Sequence, residues 1–247
     1  VRLAGTTVTN ATLHNQDFIS EKDIRIGDTV CIRKAGEIIP EVLRVVPEKR
    51  PSWAVPYFLP ETCPVCGAPV HRDPDGAALR CTGAECPAQL LRNLTHFASK
   101  DAMDIDGLGP NLVKALVEEG LVHSAADLYT LDADRVAKLE RMGAKSAENL
   151  IRAIDASRQQ GMARLIYALG IRQVGVSASR TLAARYGSME ALEKADGEEL
   201  QQIDDIGPVT AAYITEWFSQ EQSMHLIRRL REAGVDMQSR ETLVDRR

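Results

Sequence analysis

The apolar positions of this chain follow two different periods, and the change falls near residue 87. Before it, Asp23-Ile24-Arg25-Ile26-Gly27-Asp28-Thr29-Val30-Cys31-Ile32 alternates apolar and polar residues around a Gly-Asp turn, the period-two pattern of a half-buried strand. Ala35-Gly36 then turns the chain into Ile38-Ile39-Pro40-Glu41-Val42-Leu43-Arg44-Val45-Val46. Residues 1–47 therefore read as strands suited to a small barrel. Pro87 opens a helix at a position where its missing N–H costs nothing, and beyond it apolar residues recur at helical spacing. Leu90, Leu91, Leu94, Phe97 and Ala98 mark one buried face, and Leu112-Val113, Leu116-Val117 and Leu165-Ile166 mark others.

Four glycine turns punctuate this helical part: Asp106-Gly107-Leu108-Gly109, Glu140-Arg141-Met142-Gly143, Arg172-Gln173-Val174-Gly175 and Asp204-Asp205-Ile206-Gly207. Their last glycines are 34, 32 and 32 residues apart, and each follows an apolar residue. With apolar-periodic helices before and after each turn, the unit is a helix–hairpin–helix, repeated in tandem. A single glycine of this kind is ordinary helix punctuation; a fixed period with a constant apolar neighbour is more than capping requires. A tight turn that opens a helix leaves backbone N–H groups unpaired at the positive end of the dipole, where a phosphate is stabilised. The repeats predict a surface that follows a nucleic-acid backbone, with Gly107, Gly109, Gly143, Gly175 and Gly207 facing phosphate.

At 247 residues the chain exceeds a typical single domain, so two or three domains are expected. Its net charge of −5 argues weakly against a polyanion partner, but the distribution of charge points the other way. From Arg135 to Arg185 ten basic residues face three acids, a local balance of +7, the electrostatic footprint of a nucleic-acid binder. Within it Lys145 and Arg180 are the side chains expected on phosphate. The flanking repeats are acidic, and Asp204-Asp205 would repel phosphate, so the second and third repeats are expected to dominate binding.

Cys63, Cys66, Cys81 and Cys86 are spaced C-x2-C, 14 residues, C-x4-C. Two thiolate pairs joined by a hairpin over residues 70–80, turning at Asp73-Pro74-Asp75-Gly76, can converge on a tetrahedral four-sulfur site that selects zinc. Protein would fill all four positions, so the metal would be structural. Cys31 stands alone in a strand and reads as a small buried hydrophobe. Four prolines between Pro47 and Pro60 mark an extended linker. No apolar stretch approaches the roughly 18–20 residues of a membrane span and no signal segment is seen; a cytoplasmic protein without membrane partners is expected.

Several longer motifs occur in a fixed order: Ala11-Thr12-Leu13-His14-Asn15, Asp23-Ile24-Arg25-Ile26-Gly27-Asp28, Lys34-Ala35-Gly36-Glu37-Ile38-Ile39-Pro40, the four cysteines, Cys86-Pro87-Ala88-Gln89, and His96 through Gly109. In this order the chain closely resembles the C-terminal half of bacterial NAD-dependent DNA ligase. The resemblance implies a multidomain α+β protein. Its parts would be a partial OB-fold barrel over 1–50 lacking its opening strand, a linker over 51–62, a four-cysteine zinc finger over 63–86, four helix–hairpin–helix repeats over 87–236, and a tail over 237–247. It implies an enzyme that seals 5′-phosphate to 3′-hydroxyl nicks in duplex DNA during replication and repair, monomeric and nucleoid-associated. Arg33 and Lys34 of the OB segment would contact DNA, whereas His14 has no role beyond possible DNA contact. The family's chemistry uses a lysine in a Lys-x-Asp-Gly motif with NAD⁺ and Mg²⁺. That motif is expected nowhere within these residues and instead in an adenylation domain before Val1, with a BRCT domain after Arg247. No residue here is expected to be catalytic, and this stretch alone would bind nicked DNA and Zn²⁺ without becoming adenylylated. A non-catalytic helix–hairpin–helix repair scaffold and an RNA-associated zinc ribbon are the competing readings; the motifs of the OB segment disfavour the first.

Overall fold

The structure, a computed structural model, describes residues 2–3, 6–35, 39–72 and 76–240. The turn at Gly36, the hairpin tip at 73–75 and residues 241–247 lie outside the described residues. The chain forms two compact units, Val1–Cys81 and Thr82–Arg247.

In the first unit β1 (Arg2–Leu3) pairs antiparallel with β2 (Thr6–Thr7). The long antiparallel pair is β3 (Val30–Ala35) against β4 (Ile39–Val45), with an irregularity between Cys31 and Ile32. Between these pairs lies α1 (Gln16–Glu21), a helix the strand-like reading of residues 1–47 passed over. Asn15 starts it, its side chain accepting the Phe18 N–H at 2.9 Å, a cap that was readable from the sequence. β3 also begins later than the alternation suggested, because residues 23–28 are a turn locked by Arg50. Its Nε donates to Asp28 Oδ1 at 2.8 Å and its Nη1 to Asp23 Oδ2 at 2.6 Å. Hydrogen bonds from Arg25 and Arg50 hold the Asp23 carboxyl down at about 2.

The stretch expected as a linker is extended yet docked. The Trp53 ring covers Gly27, whose φ is +93°, and a Cβ there would lie 2.2 Å from the ring. Ala54 is buried, Pro56 bridges Arg25, and the Leu59 N–H donates to Gln16 Oε1 at 2.7 Å. The hairpin β5 (Val70–Arg72) and β6 (Leu79–Cys81) follows, and Arg72 pairs with Asp17 through Nη1–Oδ1 at 2.9 Å. Cys31 is half-buried in β3.

The second unit is helical. It runs through α2 (Leu90–Ala98), α3 (Pro110–Glu118), α4 (Ala133–Val136), α5 (Ala144–Ser157), α6 (Met162–Ala168), α7 (Val176–Tyr186), α8 (Met189–Glu193), α9 (Gly197–Gln201), α10 (Pro208–Ser219) and α11 (Glu221–Glu232). Leu94, Phe97, Leu116, Ile154, Leu165, Leu182 and Ile227 sit in its core. On α2, Leu90, Leu94, Phe97 and Ala98 are buried but Leu91 is 43% exposed; an i, i+4, i+7, i+8 stripe has no place for it. Residues 235–239 lace across the unit: the Met162 N–H donates to Gln238 O at 3.1 Å and the Met189 N–H to Met237 O at 3.0 Å. The start of the stretch read as a tail is therefore tied down. No helix among the described residues is long and apolar enough to cross a membrane.

Candidate nucleic-acid interface and metal centre

The four glycine turns share one backbone. In each, a residue with left-handed φ precedes a buried or half-buried apolar residue and then the glycine that caps the next helix. The left-handed residues are Gly107 (+80°), Arg141 (+64°), Gln173 (+62°) and Asp205 (+69°). Each turn closes with the apolar residue's N–H on the carbonyl three residues back: Leu108 to Ile105 at 3.2 Å, and Met142 to Leu139, Val174 to Ile171 and Ile206 to Ile203 at 3.1 Å. A left-handed non-glycine residue costs about 1–2 kcal/mol, so holding it at three of four turns marks one geometry repeated within the molecule, despite the missing glycine. The arms before the turns are uneven: α4 has 4 residues and α9 has 5, while residues 99–104 reach the first turn as a run of turns.

Gly109, Gly143, Gly175 and Gly207 are the N-caps of α3, α5, α7 and α10, with φ of −79°, −128°, −85° and −78°. These values suit any residue, and a Cβ on any of the four meets nothing within 4 Å. No N-cap side chain bonds the first N–H groups of these helices, groups that an α-helix leaves without an intrahelical partner. Neither backbone angle nor packing within the fold demands glycine at these four positions. The turns are not equal. Pro110 and Pro208 follow the first and fourth cap glycines and remove one donor each, whereas Ala144 and Val176 leave the N–H in place at the second and third.

Of the ten basic residues counted between Arg135 and Arg185, three serve the fold. Arg158 donates to Tyr129 O at 3.0 Å and pairs with Asp155 at 3.1 Å. Arg164 donates to Ala102 O at 2.7 Å and also to Lys100 O. The Arg172 guanidinium stands 5.7 Å from the Tyr213 ring centre. The other seven are exposed, among them Lys145 in the first turn of α5 and Arg180 on α7. In the first unit Arg33 is exposed but held by Glu41, Nε to Oε1 at 2.7 Å, and Lys34 is half-buried opposite Pro40. His14 joins the same carboxylate, Nε2 to Oε2 at 2.8 Å, a pairing that the sequence did not signal.

The sulfurs of Cys63, Cys66, Cys81 and Cys86 lie within 4.8 Å of one another. A tetrahedral zinc with Zn–S near 2.3 Å sets sulfurs about 3.8 Å apart. The Cys66 and Cys81 sulfurs are 3.5 Å apart, far beyond a disulfide, which measures about 2.05 Å; the donor set fits the ion. The backbone N–H groups of Cys66 and Val65 point at the Cys63 sulfur and hold its thiol down at about 7 against the pull of burial, favouring the thiolate that binds metal.

One expectation needs correction. The letters Lys-x-Asp-Gly do occur, at Lys194-Ala195-Asp196-Gly197. Their geometry is not that of a nucleophile. Lys194 Nζ is exposed and pairs with Glu190 at 2.7 Å, which raises its pKa, while a lysine nucleophile needs its pKa lowered. Asp196 caps α9 by accepting the Glu199 N–H at 2.8 Å. The tetrapeptide is a helix start.

Four family models match the chain. They are the NAD-dependent DNA ligase OB-fold domain over 1–54, the NAD-dependent DNA ligase C4 zinc finger domain over 62–88, the SAM-like helix-hairpin-helix tandem over 99–156 and the helix-hairpin-helix motif over 164–227. Among curated relatives, a DNA ligase of Symbiobacterium thermophilum is 57% identical over 239 residues, covering 96% of this chain and 36% of the relative. A DNA ligase of Heliobacterium modesticaldum is 56% identical over 239 residues, covering 97% and 35%, and one of Marinobacter nauticus 49% over 244 residues, covering 98% and 36%. The chain thus spans about a third of the length of these relatives. Two ligase-specific models in order, followed by the hairpin repeats and this level of identity, place the chain in the NAD-dependent DNA ligase family, where it matches the OB-fold, zinc-finger and helix–hairpin–helix modules.

Proposed function

We propose that this chain is the DNA-clamping part of an NAD-dependent DNA ligase: it holds nicked duplex DNA while the 5′-phosphate and 3′-hydroxyl are joined by chemistry housed outside these residues. The observation that carries the reading is the set of cap glycines with ordinary φ and open space at each Cβ. Phosphate oxygens on the exposed amides explain glycine where the fold does not, and backbone amides read shape without sequence. Gly107 sets the left-handed turn in the first hairpin. Gly143 with Lys145 and Gly175 with Arg180 form the stronger pair of sites, Gly109 and Gly207 the weaker. Arg33 and Lys34 add contacts from the OB segment. Cys63, Cys66, Cys81 and Cys86 hold a structural Zn²⁺ that fixes the knuckles. NAD⁺ and Mg²⁺ serve the whole enzyme, and the chain alone is inactive in adenylyl transfer.

The test is binding of the zinc-loaded chain to nicked and intact duplexes across a salt series, beside incubation with labelled NAD⁺. The expected result is salt-sensitive DNA binding without labelling. Lys145→Glu with Arg180→Glu should weaken binding more than alanine at Gly109 or Gly207. Absence of binding, or label on the protein, would overturn the reading.

A further inference from the structure

The motif Ala11-Thr12-Leu13-His14-Asn15 and the strand residue Arg33 meet at one buried acid. The Thr12 N–H donates to Pro40 O at 2.7 Å, laying the motif along β4, and Asn15 caps α1. Between them His14 takes a φ of +56°. A non-glycine residue stays in that region only where its surroundings fix it, and such residues cluster at functional sites. Here the ring stands edge-on to Phe18, 4.8 Å between centres, and meets Glu41 Oε2. Arg33 lies opposite Glu41 in the β3–β4 register and takes the other oxygen through Nε. The Glu41 side chain is 10% exposed, that of Arg33 60%.

Stability alone is a weak reason to bury a carboxylate, since apolar residues of similar volume often do as well. Hydrogen bonds from Arg33 and then His14 keep Glu41 below the usual carboxylate range, so it remains a charged anchor. Fixing a guanidinium at Nε leaves its two terminal nitrogens facing outward in the fork that matches phosphate.

We propose that Glu41 is a positioning residue for DNA binding, holding the Arg33 guanidinium and the His14 ring side by side to grip one backbone phosphate of the duplex. The inference rests on the DNA-clamp reading above and adds His14 and Glu41 to it. Positioning and plain electrostatics predict opposite signs. Removing a negative charge from a DNA-facing surface strengthens binding if charge is all that matters; loss of a positioning group weakens it.

The experiment measures anisotropy of a labelled nicked duplex with the full zinc-loaded chain, across salt, for Glu41→Leu, Glu41→Gln, Arg33→Ala and the Glu41→Leu/Arg33→Ala pair. Circular dichroism checks the fold. Glu41→Leu should bind about tenfold more weakly, the scale of one charge-assisted hydrogen bond, with a salt slope lower by about 1. The double variant should lose less than the sum of the two single losses, because the Arg33 share is then removed only once and only the His14 share adds to it. Glu41→Gln, which can still accept from Arg33 and meet His14, should recover most of the loss. Glu41→Leu binding as tightly as wild type or tighter, additive losses in the pair, or Glu41→Gln as weak as Glu41→Leu each overturn the proposal. If Glu41→Leu does not fold, His14→Ala decides, with unchanged affinity counting against it. A wild-type chain that ignores DNA would bring down the clamp reading as well; a binding wild type with a neutral Glu41→Leu removes this inference alone.

Discussion

Changing Gly143 and Gly175 together to alanine separates a structural need for glycine from a ligand's need. With φ of −128° and −85° and nothing within 4 Å of the added Cβ, neither site strains the new side chain. Alanine is a poorer N-cap than glycine, which costs about 1 kcal/mol or less per helix. It also narrows the unfolded ensemble, which stabilises by about 0.4–1 kcal/mol per site. These terms offset, so folding stability should move by less than about 1 kcal/mol. Binding has no such compensation. A methyl group on each cap occupies the approach to the first amides of α5 and α7, and a hydrogen bond to a charged phosphate is worth about 1.5–3 kcal/mol. Loss of one at each hairpin predicts at least a roughly hundredfold weaker complex. The assay pairs anisotropy on a nicked duplex with a thermal melt of the free protein. Gly109→Ala/Gly207→Ala is the matched control, expected to lose less because Pro110 and Pro208 have already removed a donor. Unchanged affinity in the folded Gly143/Gly175 variant would refute the phosphate assignment, and a melt lowered by several kcal/mol would show that the fold itself needs those glycines.

Three further outcomes follow from the same structure. Chelation should release one zinc per chain and disorder residues 62–88, and Cys63→Ser should fail to retain the metal while Cys31→Ser keeps it; a native preparation free of zinc by colorimetric assay would contradict the site. Gly27→Ala should destabilise the first unit by about 2 kcal/mol or more, combining the left-handed penalty of roughly 1–2 kcal/mol with displacement of the Trp53 ring, 2.2 Å from the new Cβ. Urea unfolding followed by tryptophan emission reads it, and a wild-type midpoint would count against the contact. Because Asp23 is held at about 2, below its ordinary 3.8, its pairing with Arg25 and Arg50 contributes fully above pH 3.8 and is lost as pH falls through about 2; Trp53 emission should change across that window in wild type and less in Asp23→Asn.

The sequence displayed the parts of this site that glycine and cysteine encode. The hairpins were legible because a cap glycine and a preceding apolar residue recur at a fixed spacing, and the metal centre because thiol pairs at C-x2-C and C-x4-C spacing have few other uses. Conformation carried by other residue types was not legible. Arg141, Gln173 and Asp205 hold the left-handed backbone of Gly107 without a side chain that advertises it, so the repeats looked less alike than they are. Counting charge also overstated the basic surface, since nothing in a residue's letter says that Arg158, Arg164 and Arg172 are drawn inward to carbonyls and a ring. Lys194-Ala195-Asp196-Gly197 makes the reverse point: the letters of a catalytic motif, on an exposed helix start paired to Glu190, carry none of its chemistry.

The likeness of backbone and unlikeness of charge among the hairpins bear on how a clamp of this kind engages a duplex. Four identical basic hairpins would bind any polyanion along their length and would resist release, because each phosphate neutralised adds to the counterion-driven affinity. Here the two middle turns carry the full set of donors with Arg141, Lys145 and Arg180 beside them, whereas the outer turns carry Pro110 and Pro208 with Asp106, Asp204 and Asp205. If the chain clamps DNA as proposed, affinity should be concentrated at the centre of the repeat array. On the proposed clamp reading, the outer hairpins keep the same backbone shape while their acids limit long-range attraction, so they would engage a duplex only when the middle pair has placed it within hydrogen-bond reach. On this reasoning, reversing the acids of the fourth hairpin with Asp204→Lys and Asp205→Asn should tighten binding to intact duplex at least as much as to nicked duplex. A selective gain on nicked DNA would instead assign that hairpin a part in recognising the break.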